Sequence, residues 1–394
     1  MNTGQDSLCL QGGKILRGGA LEDGTLGIAG ALLADAGNAP VLETTGYLVL
    51  PGIIDLHGDA FEHHMAPRPT APLPFAMGLV GVDSDAAANG VTTAWMAQSW
   101  SWEGGARGPD YAVGLLEALE AYRPQAGTDL RIQIRCETHT METEGRLIDA
   151  IRRFRLGYVV FNNHLEEALE MGRRDLASLT GWASRTGRTP QQHLDLVLSL
   201  KARDAEASAY LARLSAVFAQ EGVRSGSHDD ADTATRTRFA DLGARICEFP
   251  TGVAAARAAH TAGDPVLMGA PNIVRGGSQS GNIAAADLVA EGLCDALVSD
   301  YHYPTLARAA FRLADDGLLS LADAWALISC NPARIMAMPD RGELADGRRA
   351  DLVIIDEYSR RIEGTMVAGR WTHLSGNLAA RLARSPLRAR VAAE

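Results

Sequence analysis

The sequence predicts an α/β protein: a parallel (β/α)8 barrel with a small β-domain assembled discontinuously from both ends of the chain. Three observations predict it. Apolar strand candidates alternate with helical patterns through the middle of the chain, and they number eight, as a closed parallel barrel requires. Polar side chains cluster where those apolar runs end. Both ends of the chain read instead as short strands punctuated by glycine.

At the N-terminal end the strand candidates are Lys14–Leu16, Thr25–Ile28 and Ala31–Leu33. At the other end they are Ala350–Asp356 and Gly364–Arg370, after the turn-rich Gly342–Gly347. Residues 1–50 and 340–394 are therefore assigned to the small β-domain, and 51–339 to the barrel. The eight barrel candidates are Ile53–His57, Val91–Ala97, Leu130–Glu137, Tyr158–Asn163, Val223–His228, Ile246–Phe249, Val266–Gly269 and Ala296–Asp300. The first belongs to the apolar run Val49–Ile54, which delivers polar groups at its end, as a buried barrel strand does at its C-terminal mouth. From about 165 to 221 no strand is evident, and Leu194, Leu198, Leu211, Leu214 and Phe218 recur at helical spacing. That stretch reads as a helical insertion near the mouth, in the position of a lid.

The chain has 394 residues, 46% of them hydrophobic, enough for a large core with a small appendage. A formal charge of −11 argues against non-specific nucleic-acid binding. The five cysteines are scattered without a CxxC, which fits a reducing compartment. The first residues carry neither a basic nor an apolar leader pattern, and no run has the length of a membrane span. The expectation is a cytoplasmic protein without membrane partners, its oligomeric state left open.

His57 and Asp59 follow the first barrel candidate two residues apart, so an extended chain points both to one side. Other candidates end similarly: Glu137 and His139, Asn163 and His164, His228 with Asp229 and Asp230, Asp300 with His302. One histidine on an apolar element is usually a satisfied core residue. Five strand ends presenting imidazole or carboxylate together point to a divalent metal, zinc first, with manganese or iron as alternatives. For Glu137 an ion pair with Arg135 or Arg131 is the competing reading.

Two loops suit anions. Arg275, Gly276, Gly277 and Ser278 follow the seventh candidate, where free backbone N–H groups, a hydroxyl and a guanidinium form a nest for phosphate. His63 and Arg68 follow the first, on an arm stiffened by Pro67 and Pro69.

The run Pro51-Gly52-Ile53-Ile54-Asp55-Leu56-His57-Gly58-Asp59 resembles the first strand of the amidohydrolase superfamily, with Asp59 in place of the more common second histidine. Ser227–Ala231, Glu248–Thr251, Leu267–Ser278, Asn331–Ala333 and Asp340–Gly342 are similar to a branch of that superfamily, the sugar-triphosphate diphosphatases of phosphonate metabolism. The resemblance covers about residues 45–370. It implies a metal set of His57, Asp59, Glu137, His164, His228 and Asp300, holding one or two ions. It also implies Asp300 and His228 as catalytic groups and Arg275 and Arg68 as phosphate ligands. The implied reaction is cleavage of a phosphoanhydride in a small phosphorylated substrate, with release of pyrophosphate. Metal lowers the pKa of water to about 7, and Asp300 would take the proton and pass it on. An amide or cyclic-amide hydrolase is the alternative enzyme, favoured by the glutamates Glu166, Glu167 and Glu170 beside His164. A metal-free barrel serving as a scaffold is the non-enzymatic alternative.

Overall fold

A computed structural model describes residues 7–68, 71–278 and 281–384. Five strands open the chain: β1 (Leu8–Arg17), β2 (Ala20–Ala29), β3 (Leu32–Leu33), β4 (Val41–Glu43) and β5 (Tyr47–Pro51). Eight follow, each separated from the next by at least one helix: β6 (Ile53–Gly58), β7 (Val91–Trp100), β8 (Asp129–Glu137), β9 (Tyr158–Asn162), β10 (Arg224–His228), β11 (Ile246–Glu248), β12 (Val266–Gly269) and β13 (Ala296–Val298). The last three are β14 (Leu352–Asp356), β15 (Ile362–Val367) and β16 (Arg370–Leu374).

Strands β6 to β13 form one parallel sheet in chain order. Its first and last strands meet through a parallel bridge between Gly58 and Asp300, which brings the sheet close to closure as a barrel. All eight predicted strands are present. Most of their residues are buried, as in a parallel sheet covered on both faces, β7 along its whole length, although β8 and β10 carry several polar side chains. The second sheet has the order β16-β15-β14-β5-β1-β2-β3, with β4 beside β1. Both chain ends thus build one sheet, whose core includes Leu10, Ile15, Val49, Leu352, Ile354 and Met366.

The apolar run Val49–Ile54 is not one strand. Its first half, β5, pairs antiparallel with β14, from Leu352 opposite Pro51 to Asp356 opposite Tyr47. Its second half begins β6. Gly52 makes the break: a Cβ there would lie 2.4 Å from the Thr92 hydroxyl, so only glycine lets the chain pass. Apolarity alone cannot mark a transfer from one sheet to another.

Contacts group the described residues into two compact units, one within 1–96, 122–131 and 268–394, the other within 97–121 and 132–267. In the second unit the stretch after β9 is helical throughout, over Leu165–Arg174, Leu176–Leu179, Thr180–Ser184, Pro190–Lys201 and Asp204–Glu221. Thr189 and Gln192 form a reciprocal capping box before Pro190, which explains where the fourth of these starts. The fifth ends at Gly222, in the left-handed conformation. Leu165, Ala168, Leu169, Leu179, Val197 and Leu200 give this region its own core. Leu211, Leu214 and Phe218 are buried as expected, but Leu198 is 50% exposed, because Val197 and Leu200 hold the inward face of their helix. The glutamates Glu166, Glu167 and Glu170 lie in the first of these helices. Glu166 is ion-paired with Lys201, and Glu170 with Arg174 at 2.8 Å.

No helix among the described residues is long and apolar enough to cross a membrane.

Candidate metal centre

In the first unit, β6 ends at His57 and Gly58, and Asp59 follows. His57 is buried, and its Nε2 lies 3.8 Å from Asp59 Oδ1. Asp300 follows β13 in the left-handed region, φ +55°, which aspartate tolerates better than most residues. Its N–H donates to the His57 carbonyl at 3.0 Å, and its own carbonyl accepts from the Asp59 N–H. Three of the predicted ligands are thus interlocked through their backbones. Beneath them Asp55 is fully buried, and its Oδ2 accepts the Ser299 hydroxyl at 2.5 Å. Burial pushes the Asp55 carboxyl up to about 7, against the opposing pull of the Ser299 donors and of His57.

In the second unit, Glu137 ends β8 and His164 follows β9. The His164 backbone N–H donates to Glu137 Oε2 at 3.1 Å, and its ring Nδ1 is hydrogen-bonded to Oε1. Burial works to raise the Glu137 carboxyl, but the His164 charge and hydrogen bonds, aided by Arg135, hold it below the ordinary carboxylate range. Burial likewise works to lower the His164 imidazole, and Glu137 overrides it upward. Of the two arginines considered as ion-pair partners, Arg131 is bound to Asp129 at 2.9 Å, and Arg135 acts on Glu137 together with His164.

Glu103, just beyond β7, joins them: Glu103, Glu137 and His164 each offer a ligand atom, all within 4.8 Å of one another. His228 ends β10 with Nδ1 2.7 Å from Asp229 Oδ2 and its ring 4.9 Å from Phe249. Directly across the sheet stands Glu248, whose carboxylate offers an atom within 4.8 Å of the His228 ring and accepts from Gln133 at 2.6 Å and from Tyr158. Buried carboxylates beside neutral-capable imidazoles at such separations are a donor set that fits a first-row divalent ion.

Not every strand-end group joins these sets. His139 is engaged on both sides, with Asp204 at 2.9 Å and Thr138 at 2.9 Å. Asp230 is paired with buried Arg236 at 3.1 Å. His63 and Arg68 are exposed, while His64 beside them is 3.2 Å from Asp85. The loop after β12 differs from the glycine loop expected: Ala270–Arg275 is a short helix ended by left-handed Gly276, and the N–H groups of Gly276 and Gly277 donate to the Asn272 carbonyl at 3.1 and 2.9 Å instead of standing free for an anion. Arg275 is exposed at its last turn, and Gly277 and Ser278 follow, half-buried. Asn272 closes the loop at its base, accepting from the Ala285 N–H at 2.9 Å and donating to the Ile283 carbonyl at 3.3 Å. Pro69, Gln279, Ser280 and residues 385–394, included in the sequence reading, lie outside the described residues.

Three buried carboxylates were missed. Glu103 stands past the end of β7, which runs three residues beyond the predicted Ala97. The strand-end rule finds Glu103 once that strand is drawn to Trp100. Glu248 obeys the same rule at β11. Asp55 had a different signal: it lies two residues before His57, on the same strand face.

Comparison with known proteins places these observations. Residues 215–372 match the model of the amidohydrolase family. The chain is 34% identical over 329 residues to the alpha-D-ribose 1-methylphosphonate 5-triphosphate diphosphatase of Escherichia coli (strain K12), covering 82% of this chain and 86% of that protein. Among solved structures it resembles N-acetylglucosamine-6-phosphate deacetylase from Pasteurella multocida, with TM-score 0.61 and 10% identity over 93% of this chain and 99% of that one. It also resembles N-acyl-D-glutamate deacylase from Bordetella bronchiseptica, solved with zinc and a phosphonate inhibitor, with TM-score 0.57 and 15% identity over 93% and 96% of the two chains. At such identities these two likenesses speak for the fold.

Proposed function

The chain belongs to the amidohydrolase family, and from that premise we propose that it hydrolyses a phosphoanhydride of a ribosyl triphosphate, releasing pyrophosphate. The observation that carries the proposal is the 34% identity, over most of both chains, to a diphosphatase of a phosphorylated ribose. His57, Asp59, Glu137, His164, His228 and Asp300 would hold one or two divalent ions, zinc first. A bound ion supplies charge for the phosphoryl oxygens and makes water a nucleophile near neutral pH.

Asp300 is the group proposed to take the proton of the attacking water, since its position beside His57 and Asp59 is fixed through the backbone. His228 orients with it. Arg275 and Ser278 are proposed to grip the outer phosphates, and Arg68 and His63 to meet the substrate from the β6 side. Pyrophosphate leaves readily, so stabilising charge matters more here than a strong acid for the leaving group.

The amide-hydrolase reading drew on the acidic segment after His164. Two of its three glutamates face cations of their own, Lys201 and Arg174, which removes the electrostatic objection to a polyanionic substrate. The test is a panel of ribosyl triphosphates, nucleotides, and N-acyl and cyclic amides offered to the metal-loaded protein. Pyrophosphate release from a ribosyl triphosphate is expected. Amine release without pyrophosphate would overturn the reading in favour of the amide chemistry, and a protein that binds no metal would leave only the scaffold.

A further inference from the structure

We infer that Asp55 is a positioning residue, whose carboxylate clamps Ser299 and thereby sets the geometry of His57, Asp59 and Asp300. The inference rests on the metal-hydrolase reading of those three residues, and deepens it.

The geometry is that of one acceptor meeting three donors. Asp55 Oδ1 accepts the Ser299 backbone N–H at 2.9 Å and faces the His57 N–H at 3.4 Å. Its Oδ2 accepts the Ser299 hydroxyl at 2.5 Å. Both residues are fully buried, so no solvent can substitute for either. Only a carboxylate offers enough lone pairs for all three donors and carries the charge that strengthens each bond.

The clamp joins the first and last strands of the barrel at the level directly under the candidate ligands. Ser299 is followed at once by Asp300, which sits in the left-handed region and passes its N–H to His57, while Asp59 donates back to Asp300. The ring of bonds therefore runs Asp55, Ser299, Asp300, His57, and returns to Asp55. Gly58 records how closely it is drawn: a Cβ there would lie 2.8 Å from Asp55 Oδ2 and 2.9 Å from Ser299 Oγ. If Ser299 is released, Asp300 loses the neighbour that holds its uncommon backbone conformation, and its carboxylate turns away from His57 and Asp59.

An asparagine can keep its oxygen on the Ser299 N–H while its amide faces a rotated Ser299 hydroxyl, so it should preserve much of the clamp. Alanine removes all of it. The test uses Asp55→Ala, Asp55→Asn and Ser299→Ala in the full chain. It reads zinc affinity by equilibrium dialysis, kcat and KM separately on the substrate found by the panel, and thermal unfolding. Asp55→Ala should lose zinc affinity and kcat by about ten- to hundredfold, the range for groups that orient metal ligands. KM should hold, Asp55→Asn should recover most of the loss, and Ser299→Ala should fall between. Wild-type zinc affinity and kcat in all three variants would overturn the inference. So would a loss confined to the melting temperature, which would mark Asp55 as structural only. Should Asp55→Ala not fold, the other two variants decide. If wild-type protein turns over nothing in the panel, the phosphoanhydride proposal fails, while zinc affinity across the three variants still decides the role of Asp55.

Discussion

His164 holds both oxygens of Glu137, one through its ring nitrogen and the other through its backbone N–H at 3.1 Å. This is an ion pair with opposed pKa shifts, His164 up and Glu137 down. The raised imidazole contributes stability that is complete below its unfolded pKa of about 6.5 and is lost as pH rises through the higher folded value. The depressed carboxyl contributes stability present above its unfolded value of about 4.3, and lost as pH falls through the lower folded one. Metal-free protein should therefore gain most from this pair between about pH 4.5 and 6.5.

The first prediction follows from the same proton. A metal can take His164 only as a neutral imidazole, so zinc affinity should rise by about tenfold per pH unit below the raised pKa. Calorimetric titration in buffers of different ionisation heat should show proton release below about pH 6.5, and Glu137→Gln should show less. Affinity independent of pH below about 6.5 would count against His164 as a ligand.

Asp300→Asn should keep metal and lose turnover. The carboxamide preserves the backbone bonds to His57 and Asp59 but accepts a proton poorly. A loss of about 10²- to 10⁴-fold in kcat is expected for removal of a general base. Metal content and kcat measured on one preparation decide it; near-normal kcat at full occupancy would remove Asp300 from that role.

Arg275→Ala should weaken phosphate binding by about 1.5–3 kcal/mol, the value of a charge-assisted hydrogen bond. The effect should grow with the phosphate count of the substrate, and salt should weaken the wild type more than the variant. KM for a triphosphate, a monophosphate and a phosphate-free analogue provides the comparison. Equal changes across the three would make Arg275 structural.

Arg341 is buried against Thr93 at 2.9 Å and Asp129 at 2.7 Å, and also holds Asp340 at 2.9 Å. Arg341→Met should destabilise by about 1.5–3 kcal/mol, because it removes charge-assisted hydrogen bonds while Asp129 keeps Arg131. Lysine should not restore the loss, since it lacks the fork that reaches several acceptors. The midpoint of urea unfolding checks both. Gly342 beside it, at φ +89° with Ser329 O 3.0 Å from a would-be Cβ, should resist alanine for steric reasons.

The barrel was legible because its chemistry is periodic: buried strands are apolar runs, and the groups at their ends are polar. That rule located His57, Glu137, His164, His228 and Asp300 at strand ends. It failed where strand length was misjudged, as with Glu103, and where a residue acts from inside a strand, as with Asp55. It also gave His139 and Asp230 the same look as a ligand, because a strand end cannot reveal that Asp204 or Arg236 waits across the fold. The helix Ala270–Arg275 was hidden by its glycine-rich continuation, which obscured a single short turn.

The sheet shared by both chain ends has a consequence for synthesis. β5 emerges from the ribosome early, with β1 available on one side and its β14 partner still untranslated. At 5–20 residues per second, the roughly 300 residues between them take about 15–60 s to make. Through that interval Tyr47–Pro51, buried along its whole length in the finished protein, presents an open apolar edge. A nascent chain stalled before Leu352 would keep that edge, so prematurely terminated products should be recovered in chaperone-bound or aggregated form while full-length chains escape.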